Sequence, residues 1–223
     1  MAQRRDGQET RDHLLAAALE VFIERGYRDA TVAEICRRAG VNGAAVNYHF
    51  QGKDHLYAEA WKLAFAEADR KAPIDDRLAD SAPPSERLHA LIAGVFNRIL
   101  RHGAQSRSGR LLLQEIAQPT PALEPVRHEA TAPVRQRLQK TVRDFLGPRA
   151  SEQQVVHCCM SIMHQILAIG FRGGHKPPSL GGGNFTDDEI DALIEHTYHF
   201  SLGGLQAVAS RPHLHQASKQ CGA

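Results

Sequence analysis

The sequence predicts an all-α protein, with a small N-terminal three-helix unit followed by a larger helical bundle. Three observations carry that expectation. Apolar residues recur at three- and four-residue spacing through almost every segment, and no convincing strand-type alternation appears. Helix-opening pairs recur as Thr31 with Glu34, Ser151 with Gln154 and Thr186 with Glu189. Prolines gather in a few places between the periodic segments instead of spreading through them.

The first helix is expected over residues 8–25, where Leu14, Ala18, Val21 and Phe22 form an apolar stripe that Gly26 ends. In the Thr31–Glu34 pair the hydroxyl accepts from an orphan N–H while the carboxylate reaches back, opening a second helix. Val32, Ile35, Cys36 and Ala39 give that helix one apolar face, and Gly40 stops it in the left-handed conformation. Asn42 is placed to cap a short third helix over 43–50. A fourth helix starts at Lys53 and carries Leu56, Tyr57, Ala60, Trp61, Ala64 and Phe65.

Pro73, Pro83 and Pro84 then mark the expected domain boundary. The division is 1–53 for the N-terminal unit, 54–71 as a bridging helix, 72–210 for the larger domain and 211–223 as a frayed tail. Within the larger domain Leu88, Leu91, Ile92, Val95, Phe96 and Ile99 define one amphipathic helix, and Leu111 to Ile116 a shorter one. Pro133 should kink or restart the segment over 122–146. Capped helices follow from Ser151 and Thr186, separated by GGHKPPSLGGGN, a flexible loop on composition.

The 223 residues are 42% hydrophobic and 23% charged, enough for a buried core. A net charge of +2 gives little support for nucleic-acid binding, and nine basic residues balance nine acidic ones over 1–62. Distribution says more: from Ile35 to Lys53 there is no acidic residue, while Arg37, Arg38 and Lys53 remain to approach phosphates. The four cysteines lack framework spacing, which predicts reduced thiols and a cytoplasmic setting. No secretory signal is evident, and the weakly charged run 155–171 is too short and polar to span a bilayer.

The pair of helices over 31–50 reads as a helix–turn–helix, which places its second helix in the DNA major groove. Gly43 and Ala44 carry almost no side chain, so the backbone can sit deep in the groove. Asn47 lies one turn on and can pair with adenine N6 and N7; Asn42 is a further candidate for DNA contact, although capping also occupies its side chain. Val46 and Phe50 should face inward as core. Lys53 can pair with a phosphate, and Thr31 offers a cap beside a phosphate-facing helix end. Arg4 and Arg5 are expected to precede the first helix as a short arm or as solvated ends.

VNGAAVNYHFQGKDHL, residues 41–56, resembles the recognition signature of TetR-type bacterial transcription regulators. Val41, Val46, His49, Phe50, Lys53 and Leu56 fall on that pattern, in step with Thr31 and Gly40; Asn47 stands where the family usually has Tyr. NYHF and the stretch LLLQEIAQPTPAL are similar to the CecR-like subgroup. The resemblance implies a homodimer that binds an operator duplex through Tyr48, His49 and their neighbours. It also implies a helical core that takes a small-molecule effector, most often to release a repressor.

The last two helices are the expected dimer interface, with Ile190, Leu193, Ile194, Thr197, Tyr198, Ser201, Leu202 and Leu205 as a seam. Candidate effector-lining residues are Phe96, Met160, Met163 and Phe171, with Gln114 and His164 as polar anchors. No catalytic motif occurs, and the glycine-rich loop lacks the Gly-Lys-Ser/Thr ending of a phosphate loop. No cofactor or metal is expected. The alternative is a metal-responsive regulator using His157, Cys158, Cys159 and His164, or His196 with His199.

Overall fold

The computed structural model describes residues 2–71, 74, 81–101, 107–170 and 175–210. Phe171, Cys221 and the 211–223 tail lie outside them. The helices are α1 (Ala2–Asp29), α2 (Val32–Ala39), α3 (Ala44–Phe50), α4 (Lys53–Lys71), α5 (Pro84–Phe96), α6 (Arg107–Ala117), α7 (Glu124–Leu146), α8 (Glu152–Gly170) and α9 (Asp187–Ala209). A π-helical turn, Asn97–Arg101, extends α5, and short 3-10 turns occupy Pro121–Leu123 and Pro178–Leu180. The one β element among the described residues is an isolated bridge between His175 and Asn184.

Two apolar clusters organise these helices. The first joins α1–α4 around Leu14, Phe22, Ile35, Val46, Phe50, Tyr57 and Trp61, and it extends to Leu111 of α6 and to Leu123. The second joins α5, α7, α8 and α9 around Leu88, Ile92, Phe96, Leu138, Val142, Ile166 and Ile194. Fully burying one such side chain contributes about 1.5–3 kcal/mol. α4 packs on α1 on one side and on α6 and α7 on the other, so the first cluster rests directly on the larger domain.

Local geometry departs from expectation at several points. Gly26 leaves helical conformation (φ 72°, ψ 175°) inside α1, a region that only glycine enters without strain. Thr31 accepts from the Glu34 N–H at 3.2 Å, but the reciprocal half of the box is absent. The Glu34 carboxylate instead takes Arg37 at 2.9 Å and Arg38 at 2.8 Å, charged donors that outcompete a backbone N–H. α7 runs through Pro133 without a restart, the ring lying on an exposed face. The segment between α8 and α9 is an organised turn where described: Lys176 N–H donates to the Gly183 carbonyl at 2.7 Å, and its ammonium pairs with Glu189 at 2.9 Å. Both later capping boxes are complete, Ser151 with Gln154 and Thr186 with Glu189.

α9 is turned differently from the expected seam. Ile190, Ile194, Thr197, Ser201 and Leu205 are buried within the protomer. The face left outward carries His196, Phe200, Gly203, Gly204 and Ala207, with Phe200 65% exposed. A helix with two apolar-tolerant faces has one period, and the period does not say which face meets the chain's own core.

Candidate functional site

α3 is held by contacts on three sides. Asn42 Oδ1 accepts from the Ala44 and Ala45 N–H groups at 3.0 and 3.3 Å, capping the helix start. Val46 (0% exposed) and Phe50 (3%) point into the first cluster. The Arg11 guanidinium lies 4.9 Å from the Phe50 ring centroid and 3.1 Å from Glu59, linking α1, α3 and α4. Gln51 closes α3 in the left-handed conformation, donating to the Asn47 carbonyl at 3.1 Å.

The opposite face presents Gly43, Ala44, Asn47 and Tyr48 to solvent. Tyr48 is 83% exposed, and its ring stands edge-on to half-buried His49 at 4.8 Å. The Thr31 hydroxyl is exposed at the start of α2. Lys53 is half-buried: its ammonium sits 4.4 Å over the Tyr27 ring and donates to the Arg28 carbonyl at 3.4 Å. That burial lowers its pKa from the usual lysine value. Tyr27 in turn hydrogen-bonds Asp54, which pushes its hydroxyl up to about 12.

Arg37 and Arg38 do not serve as the loose phosphate-facing cations that the acid-free stretch suggested. Arg38 pairs with Glu24 at 2.6 Å as well as with Glu34, and Arg37 pairs with Glu34. These arginines hold the Glu34 carboxyl down at about 2, so the cluster stays paired at neutral pH. Their acids lie on α1 and just ahead of the stretch, and folding folds them back over it. Arg4 and Arg5 fall within α1, not ahead of it, and their side chains are outside the described set.

A cavity of about 390 Å³ opens in the larger domain between α6, α7 and α8. Met160, Met163 and His164 line it from α8, and Leu112 and Ile116 from α6. Phe96 is fully buried in the second cluster and does not reach the cavity. Gln114 does not line it either; its amide donates to the Ile23 carbonyl at 2.9 Å. The turn of α6 decides this, since Gln114 lies on the side that faces α1. The π-helical turn after α5 brings Arg98 and Ile99 to the wall, an extra residue per turn that no periodicity announces.

α6 therefore has two working faces. Ser108, Gly109, Leu112 and Ile116 meet the cavity. Arg110 and Gln114 both donate to the Ile23 carbonyl, at 3.2 and 2.9 Å, near the Gly26 break that leaves helix-end carbonyls unpaired. Glu115, 1% exposed, accepts from the Tyr57 hydroxyl at 2.9 Å, the Thr120 hydroxyl at 2.7 Å and the Thr120 N–H at 2.8 Å. Burial pushes the Tyr57 hydroxyl up, so it stays a donor. Sequence reasoning missed Arg110 and Glu115, because charged residues in an amphipathic helix read as its solvent side.

For the metal-responsive alternative, no group of three or more His, Cys, Asp or Glu side chains able to hold an ion occurs among the described residues. His196 stacks on Phe200 and His199 faces Glu195 at 3.7 Å. Among the described residues no helix is long and apolar enough to cross a membrane.

The fold and exposed helix define a helix–turn–helix DNA-binding protein whose reading unit rests on a cavity-bearing helical domain. Residues 14–60 match the model of the bacterial regulatory proteins of the tetR family, and residues 84–205 match the C-terminal domain of the HTH-type transcriptional dual regulator CecR. The chain belongs to the TetR family of transcription regulators, in its CecR-type branch. It is 26% identical over 200 residues to CecR of Shigella flexneri, covering 86% of this chain and 88% of that protein. It is 50% identical over 102 residues to the regulator SrpR of Pseudomonas putida, covering 46% of this chain but only 44% of SrpR. The crystal structure of AibR in complex with isovaleryl coenzyme A and operator DNA shares the fold, with a TM-score of 0.61, 20% identity and coverage of 84% and 97%.

Asn47→Ala is expected to relax preference at one base per half-site, worth about 1–3 kcal/mol, with total affinity for other positions kept. Lys53→Ala should weaken all duplexes alike and lower the salt slope by about one. Selection of bound duplexes and affinity measured against salt check the two; an unchanged motif or an unchanged slope rejects the corresponding role.

Proposed function

We propose that the chain is a homodimeric transcriptional repressor, acting in the cytoplasm, that leaves its operator when a small molecule enters the cavity. The observation that carries this is the double engagement of α6, cavity on one face and α1 and α4 on the other. A ligand that displaces α6 must move the Ile23 carbonyl and Tyr57 with it, or break their hydrogen bonds. Either way the α3 helices of a dimer change spacing, and a two-fold operator tolerates little change. AibR, which joins an acyl coenzyme A and operator DNA within the same fold, supports the pairing of the two sites by analogy.

Under this reading Gly43, Ala44 and Asn47 meet bases, while Thr31, Asn42, Tyr48, His49 and Lys53 meet the backbone. Residues 1–53 form the DNA-binding unit, 54–71 the bridge, 72–210 the effector and dimer domain, and 211–223 a tail. The dimer uses the outward faces of α8 and α9, where Phe200 stands 65% exposed. Met160, Met163 and His164 contact the effector. The test is operator selection followed by fluorescence anisotropy on the selected duplex, with light scattering of the free protein. A dimer in solution and a twofold-symmetric selected site are expected; a monomer bound to an asymmetric site refutes the proposal.

A further inference from the structure

The cavity wall is strongly one-sided in charge. Arg98, Arg127 and Arg135 line it, and no Asp or Glu does among the described residues. Arg98 is already neutralised, pairing with Asp69 at 2.6 Å. Arg127 and Arg135 are half-buried on α7 and make no hydrogen bond or ion pair through their side chains among the described residues. Of the other half-buried arginines, Arg11 is matched to Glu59 and Arg87 to Asp144, and Arg137 donates to the Ile74 carbonyl at 3.1 Å.

An arginine cannot shed its proton to relieve burial, so a half-buried guanidinium without an anion sits at a cost. A carboxylate or phosphate supplied by a ligand removes that cost through paired, charge-assisted hydrogen bonds. The two residues are eight apart on α7, about 12 Å of helix rise, with Thr131 one turn from each. Leu112 and Ile116 of α6 and Met163 and Leu167 of α8 line the cavity with apolar side chains. The cavity thus combines two arginines of α7 with a largely apolar lining.

We infer that the effector is an amphipathic organic acid, its acid group held against α7 by Arg127 and Arg135 and its apolar body lodged between α6 and α8. This rests on the reading of the cavity as the effector site. It also narrows that reading, because neutral and cationic compounds of the same shape are excluded as good ligands.

The test uses the full-length protein and three ten-carbon probes below their micelle concentrations: decanoate, decanol and decylamine. Their size suits a cavity of about 390 Å³. Calorimetric affinity and release of the selected duplex are measured for each probe. Decanoate is expected to bind about tenfold or more tightly than decanol, and to release the duplex at lower concentration. The double variant Arg127→Gln/Arg135→Gln should lose that preference while keeping decanol binding and an unliganded melting temperature at least as high as the parent's. The double variant Arg127→Lys/Arg135→Lys, which keeps the charge, should retain part of it. Decanol or decylamine matching decanoate overturns the organic-acid assignment and leaves the effector cavity standing. No binding by any probe, with the duplex retained, overturns both.

Discussion

Replacing Phe50 with alanine is expected to lower the stability of the N-terminal unit by about 3–5 kcal/mol and to abolish duplex binding. Phe50 is 3% exposed at the end of α3, and the Arg11 guanidinium covers its ring. Its loss leaves a cavity under the recognition helix and removes the surface on which Arg11 lies. α3 has only seven residues, too few to hold helical form without tertiary contacts. Urea unfolding followed by the fluorescence of Trp61 measures the loss directly, since it is the only tryptophan and is fully buried in the same cluster. Phe50→Leu, which keeps most of the volume, should cost less than half as much. Equal losses from the two variants argue that the ring is not what seats α3.

Glu115→Ala should be nearly as severe. It strands the Tyr57 hydroxyl and the Thr120 N–H in a buried setting, at about 1–3 kcal/mol for each unsatisfied donor. Glu115→Gln keeps one carbonyl oxygen to accept and should lose roughly half as much. The functional readout differs from the stability one. Either variant, measured in the cold where it remains folded, should bind decanoate as the parent does yet show a smaller change in duplex affinity on binding. Unaltered release of the duplex by ligand in Glu115→Ala would show that the contact is structural alone.

Legibility followed the range of the interaction. Gly40, Asn42 and the Thr186 box act within four residues of themselves, and the structure carries all three. Val46 and Phe50 were assignable to core because a helix of two turns has only one inward face. Glu34 was misjudged because its competitors, Arg37 and Arg38, offered charged donors within the same helical turn. Gln114 and Phe96 were misjudged for another reason. Both lie on helices that are apolar or neutral on more than one side, and only packing decided which side met the cavity.

By itself the sequence determined the all-α class, the helix–turn–helix and the residues of α3 that face outward. Those depend on caps, glycine conformations and a 3.6-residue period, all set by neighbours in the chain. Only the tertiary structure decided how α6 joins the two units, which face of α9 stays outside, and where a cavity opens whose Arg127 and Arg135 have no acid partner among the described residues. Those depend on contacts such as Tyr57 with Glu115, 58 residues apart, whose partners no local period can name.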